Sequence, residues 1–463
     1  MSRLWTLIGV AVLALALSAC GGKEGAEEGG GAGNEARPTA AAGPVSIDFW
    51  HSETVATQET LERLIDRFNA SQDEVKVRSI FQGSSDQLIL KLLTSLRSGD
   101  VPALVELADV DTQVMVDSGG ATLVQEFVDA EGYDLSDFDE KAVQYYTVEG
   151  KLYAMPFAIA VPMLFYNKVA FREVGLDPEK PPLTLDDVRA YSEKLFKVDG
   201  SGNVVRSGIS LDIQAWYLDL TLAEHGDLYV NNNNGRDGRA TEAVFNGSTG
   251  QAFFRWWDEM VDGGLAFNVG RNPTGADTFL AVAAGQAAMT VGSSQALRSL
   301  LDVLEAGVEG VEMGVGPFPG VAGGTGEPGI FSRALWIMNK CPEAEQRAAW
   351  KVARWLAEPE QQAELFAGSG YLPVRLSAYD LEASRQVLAK YPYYQVPVDL
   401  FVGTPSTSEK LGPRIGPFSK VRETVAQALE EMVVGGKDPE EALDEAAARA
   451  TTELQDYNRR VGE

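Results

Sequence analysis

GKLYAMPFAIAVPMLFYNKVAFREVGLDPEKPPLT, residues 150–184, is the stretch from which the fold is read. It holds a small-residue loop bracketed by Pro156 and Pro162, an apolar strand from Met163 to Tyr166, and a short helix closed by Gly175. A second proline cluster follows, and a further helix starts at Thr184, with Asp187 three residues on as its capping partner. Proline fixes its own φ and drives the residue before it out of the α region, so prolines on both sides of an apolar strand set where the chain turns. The segment reads as a rigid crossover between two compact units.

Outward from it, strand and helix alternate. Val45 to Trp50 alternates like a half-buried strand. Leu61, Leu64, Ile65 and Phe68 recur at helical spacing, and a second helix over Leu88 to Leu96 stops at Gly99. Ala103 to Leu107 reads as a buried strand, and Val114 to Val116 as a short helix before Gly119. Near the end, Asp438-Pro439-Glu440-Glu441 supplies an N-cap, a proline at N1 and acidic first-turn residues for a helix reaching about Asn458. About 420 residues follow Pro44, too many for one hydrophobic core. The expected fold is α/β, with two lobes and a ligand cleft between them. Lobe 1 is drawn as 45–160 plus about 285–340, and lobe 2 as 161–284 plus about 341–463.

The N-terminus carries a different kind of information. Arg3 precedes an apolar run from Leu4 to Leu17, a secretory signal too short to cross a bilayer, which takes roughly 20 residues. Leu17-Ser18-Ala19-Cys20 resembles a bacterial lipoprotein box, which implies that 1–19 is removed and Cys20 carries lipid; an ordinary cleaved signal with an incidental cysteine is the alternative. Residues 20–44, rich in Gly, Ala and Glu, cannot bury enough surface to order themselves and read as a tether of roughly 25–30 Å. The protein is therefore expected outside the cytoplasmic membrane, in the periplasm or at the cell surface, and held by its lipid alone.

Composition narrows the chemistry. A formal charge of −28 and the lack of basic stripes argue against nucleic acid. With Cys20 lipidated, Cys341 has no disulfide partner. The two histidines, His51 and His225, do not stand in a metal-ligand spacing, no lysine of the phosphate-loop type follows the glycines at 323–326, and no GxSxG elbow is present. No enzyme activity, cofactor or metal is expected. A pair of carboxylates brought together in space, as glycosidases use, is the route by which that expectation would fail.

The 150–184 stretch also resembles the solute-binding components of bacterial ABC importers, nearest to the glycerol-3-phosphate-binding branch, in its PF, P.LFYNK, F, GLDP and PP.T positions. The resemblance runs from Phe49 to Tyr457. It implies hinge closure around a small molecule, a permease as partner, and a monomer. It also implies ligand roles for particular residues. Ser293 and Ser294, between an apolar strand and a helix at Leu297, match a ligand-holding Ser-Ser; by spacing alone they are a plain N-cap. Tyr371, in Ser369-Gly370-Tyr371-Leu372-Pro373, matches a tyrosine facing the ligand, with core packing as the alternative. Trp216 matches a cleft tryptophan whose face suits the C–H side of a polyol. Arg422 matches an arginine set against phosphate, which its planar fork fits; pairing with Glu423 or Glu430 on a surface helix is the alternative.

Several positions depart from the family pattern. Ser85 stands where relatives have a ligand tyrosine, and Asp109 where they have a glutamate. Ala158-Ile159-Ala160 replaces Asn-Ser-Ser, and Phe331-Ser332-Arg333 replaces a Gly-Gly. Arg333 either adds a second phosphate contact or fills the pocket. Glycerol 3-phosphate or a glycerophosphodiester is the expected ligand, with a neutral sugar or oligosaccharide as the rival. A secreted carbohydrate-active enzyme is a third, weaker reading.

Overall fold

The computed structural model describes residues 43–53, 55–272, 275–305 and 310–462. The signal, Cys20 and most of the tether lie outside them. Residues from Pro44 onward form one compact unit built on two six-stranded sheets.

The first sheet takes β1 (Val45–His51), β2 (Val75–Phe81) and β3 (Leu104–Ala108) in parallel, with α1 (Val55–Ser71) and α2 (Ser85–Ser98) as crossovers. α1 turns the expected Leu61, Leu64, Ile65 and Phe68 into the core. α2 is fixed at both ends, by a capping box between Ser84 and Gln87 and by Gly99 in the left-handed region. After β3 come α3 (Thr112–Ser118) and β4 (Ala121–Thr122). The chain then builds β5 (Met155–Ala160), which is buried along its whole length. Here the sequence reading is corrected: the stretch between Pro156 and Pro162 is not a loop but a strand on the first sheet, its small residues packed beneath other elements.

A single residue, Val161, separates β5 from β6 (Pro162–Asn167), which belongs to the second sheet. That sheet continues with α4 (Leu185–Leu195), capped by Thr184 and Asp187 as expected, then β7 (Val204–Leu211), α5 (Trp216–His225), α6 (Ser248–Asp262), β8 (Ala266–Asn268) and β9 (Ala287–Ser293). α7 (Leu297–Glu305) returns to the first core through Leu297 and Leu301, and β10 (Met313–Pro317) pairs with β6. β11 (Phe331–Met338) then runs antiparallel beside β3 and β5. The sheet orders are β2-β1-β3-β11-β4, with β5 on β11, and β8-β7-β9-β6-β10, with the two-residue strand Lys197–Val198 on β7.

Strand pairing divides the later chain differently from the sequence reading. β9 and β10 belong to the second sheet although 285–340 was assigned to lobe 1. α8 (Glu343–Leu356) and α9 (Pro359–Ser369), assigned to lobe 2, bury Trp350, Leu356, Leu365 and Phe366 in the first core. Only from Ile415 does the chain stay with the second core, through α10 (Phe418–Val433) and α11 (Pro439–Val461). Helix periodicity shows which face is apolar, not which sheet covers it. No helix among the described residues is long and apolar enough to cross a membrane.

Candidate functional site

In open α/β sheets, ligands gather beyond the carboxyl ends of parallel strands. In the first sheet those ends deliver Ser52 and Glu53 after β1 and Asp109 after β3, and antiparallel β11 starts at the same edge with Phe331, Ser332 and Arg333. In the second, β7 leads toward Trp216 and β9 ends at Ser293. The two edges face each other across the crossovers.

On the first-lobe wall Arg333 is the centre. It sits between Ala108 on β3 and Ala158 on β5, whose small side chains leave room for its stem. Its Nη1 donates to Ser85 Oγ at 2.9 Å and Ser52 Oγ at 3.3 Å, and its Nε to Tyr371 Oη at 3.3 Å. Glu106 lies 3.2 Å away and Glu53 3.8 Å, both fully buried as side chains. Tyr371 in turn donates to Glu53 Oε1 at 3.0 Å. Burial raises the Glu53 carboxyl to about 7, the Glu106 charge pushes the same way, and Arg333 opposes both. Arg333 therefore fills this wall and is neutralised there.

Between the lobes lies Arg422, on α10. It hydrogen-bonds Asp219 of α5, not Glu423 or Glu430, both of which pair with Arg271. Burial pulls the guanidinium down, but Asp219 and Asp109 outweigh it and raise its pKa. Asp219 itself is lifted to about 6, by burial first, with Arg422 opposing. Asp109, nearly buried, accepts from Ser332 N at 2.9 Å and Val110 N at 2.8 Å; burial raises its pKa against the Arg422 charge. Asp109, Tyr145, Asp219, Lys410 and Arg422 surround a space of about 20 Å³, which is what one water takes.

Trp216 stacks on Tyr217 with ring centroids 4.0 Å apart and meets Phe331 edge-on at 5.5 Å. Phe331 is on the first sheet and Trp216 on α5 of the second lobe, so this aromatic pair spans the cleft.

The paired serines separate in role. Ser293 is half-buried and makes no cap bond, against the plain N-cap reading. Ser294 is fully buried at the crossover: its N–H donates to Val161 O at 2.9 Å and its Oγ accepts from Val161 N at 3.3 Å. The Ser294 oxygen thus serves as an acceptor that ties the end of β9 to the crossover residue.

Asp109, Trp216 and Arg422 thus come together between the lobes, and Arg333 and Tyr371 in the adjoining wall. Sequence reading missed Glu53, Glu106 and Asp219. Glu53 stands just beyond the end of β1, the signal that would have found it; Glu106 lies in the middle of β3, and Asp219 three residues from Trp216 on one helix. Among the described residues no group of three or more His, Cys, Asp or Glu is arranged to hold a metal.

Comparison with known proteins agrees with this architecture. The sn-glycerol-3-phosphate-binding periplasmic protein UgpB of Pectobacterium atrosepticum is 30% identical over 419 residues, covering 89% of this chain and 91% of its own. Its Shigella flexneri counterpart is 30% identical over 422 residues, covering 89% and 93%. Among solved structures, UgpB from Mycobacterium tuberculosis in complex with glycerophosphocholine superposes with a TM-score of 0.74 at 22% identity, over 90% of this chain and 100% of that one. The cyclic alpha-maltosyl-1,6-maltose binding protein from Arthrobacter globiformis superposes with a TM-score of 0.70 at 22% identity, over 89% and 100%. The sequence profile described as bacterial extracellular solute-binding protein matches residues 63–392, and the chain belongs to that family, the substrate-binding components of ABC transporters.

Proposed function

We propose that this protein is a lipid-anchored, non-catalytic, monomeric receptor that captures glycerol 3-phosphate or a glycerophosphodiester by closing its lobes and delivers it to an ABC permease. The observation that carries the ligand reading is Arg422: a guanidinium between the lobes, beside Asp109, whose buried Nε has no hydrogen-bond partner among the described residues. A planar fork with donors to spare fits a phosphate oxygen pair. The curated relatives carry glycerol 3-phosphate in their names. On this reading Ser293 and Trp216 hold the glycerol part, and the lipid on Cys20 keeps the receptor near its permease.

The second reading, a neutral sugar or oligosaccharide, is favoured by a specific feature: Arg422 and Arg333 are both already paired with carboxylates, so the site offers an anion less net positive charge than two arginines suggest. Calorimetric titration against glycerol 3-phosphate, glycerophosphodiesters and maltooligosaccharides at 50 and 300 mM salt separates the two. Binding of the phosphates that weakens with salt, and falls about tenfold or more in Arg422→Ala, supports the first reading. Salt-independent binding of sugars alone, indifferent to Arg422→Ala, replaces it with the second.

A further inference from the structure

Away from the ligand space the two lobes are joined again. α3, which starts directly after the Asp109 turn, ends by placing Asp117 against the second lobe. Its carboxylate takes a bidentate pair from Arg239, Nη1 to Oδ2 at 3.0 Å and Nη2 to Oδ1 at 2.7 Å, and a third bond from Tyr457 Oη at 2.8 Å. Gln113 of α3 donates to the same carboxylate at 2.9 Å. The Asp117 side chain is only 6% exposed. Its partners are tied together within the second lobe, because Asn458 and Gln455 of α11 both bond the loop that follows Arg239, at Ala240 O and Thr241 O. The contact joins the first core, through Met115 of α3, to the second, through α11.

We infer that Asp117, Arg239 and Tyr457 form a latch that holds the lobes closed without ligand and so sets the receptor's affinity from outside the ligand site. α3 links the two places directly, with Asp109 facing Arg422 before its first turn and Asp117 in the latch at its last. On the other side α10, which carries Arg422, packs on α11, which carries Tyr457; Thr424 Oγ1 donates to Ala446 O at 3.4 Å. Both halves of the ligand space and both halves of the latch therefore ride on the same two rigid pieces. Closing one closes the other. Charge-assisted, bidentate bonds on a desolvated carboxylate are the strong class, and losing them lowers the ratio of closed to open molecules by about tenfold to a hundredfold. The latch holds whichever solute the receptor takes, so its test needs no ligand.

The experiment is small-angle X-ray scattering of the ligand-free full chain, with hydrogen exchange over 109–118 and 410–422. Asp117→Asn, Arg239→Gln, Tyr457→Phe and the double variant Asp117→Asn/Arg239→Gln are compared with the unmodified protein. The unmodified chain is expected to scatter as the closed form. Asp117→Asn and Arg239→Gln are expected to enlarge the radius of gyration by the same amount, the double variant no further, and Tyr457→Phe by less; exchange in the two peptides rises in parallel. Arg239 is 43% exposed, so its replacement is read even if Asp117→Asn folds poorly, with melting temperature as the check. Open lobes in the unmodified chain, or unchanged scattering in both charge variants, would overturn the latch.

Discussion

Replacing Arg333 with methionine keeps the apolar stem and removes the charge, leaving Glu53 and Glu106 fully buried without their guanidinium. Removing one member of a buried ion pair costs about 3–5 kcal/mol, because the remaining charge cannot be solvated. Glu53 determines how that cost varies with pH. Its folded-state pKa is about 7, above the roughly 4.3 of an exposed glutamate. The stability it contributes is therefore full below about pH 4 and is lost as pH rises through 7, a change of about 4 kcal/mol at about 1.4 per unit. In Arg333→Met the attraction that held this carboxyl down is gone, so its pKa climbs further and the loss extends into the alkaline range. The variant should lose less at pH 5.5, where Glu53 is protonated in both and the missing contact is the one to Glu106, than at pH 8.5. At pH 8.5 it should be weaker by about 3–5 kcal/mol. Urea midpoints followed by tryptophan fluorescence at the two pH values give the comparison. An equal penalty at both, or no penalty at pH 8.5, would refute the view that this wall depends on its resident cation.

Three further outcomes follow from the site. Asp219 is neutral below its raised pKa of about 6, so acidification from pH 8 to 5.5 releases Arg422 to an anion; affinity for a glycerophosphodiester, which does not itself titrate there, should rise, and Asp219→Asn should bind more tightly and lose the slope in calorimetry. Ser294→Ala removes the acceptor of the Val161 N–H at the crossover and should cost about 1–3 kcal/mol in urea unfolding, as a stranded buried donor does, with phosphodiester affinity changed less than by Arg422→Ala. Gly370→Ala should destabilise by more than about 1 kcal/mol, since φ is +100° and the new Cβ would stand 2.3 Å from Ser294 O; a melting temperature equal to that of the parent would show that the crossover relaxes freely.

Local chemistry was readable from the sequence wherever one residue's conformational preference decides the outcome. The Thr184 and Asp438 caps, the stop at Gly99 and the buried faces of α1 and β3 all stand where spacing put them. Long-range pairing was not readable, since a one-residue link at Val161 and a return at Ser294 carry no special composition. A buried strand such as Met155–Ala160, apolar throughout but broken by a proline and two alanines, has the same look as a loop packed under other elements. The same limit explains the division of the later chain, where α8 is an amphipathic helix that would suit either sheet.

The charged site shows that limit most clearly. Arg333 and Arg422 stand out in the sequence only through the family resemblance, one as a departure from it and one as a match, and their meaning lies in carboxylates far away in sequence. Glu53 and Glu106 reach Arg333 from 280 and 227 positions earlier, by subtraction of their numbers, and Asp219 reaches Arg422 from 203. A net charge of −28 gives no hint that five acids, Glu53, Glu106, Asp109, Asp111 and Asp219, are nearly or fully buried around two guanidinium groups. That local ratio, and not the total, governs what the cleft accepts. An incoming phosphate must take Arg422 from Asp219, and the cheapest way is for Asp219 to gain a proton, which its raised pKa of about 6 already favours. A neutral polyol needs no such exchange and leaves the pair intact. The pH slope of binding, set against its salt slope, therefore reports whether the ligand is an anion through a group that belongs to the protein.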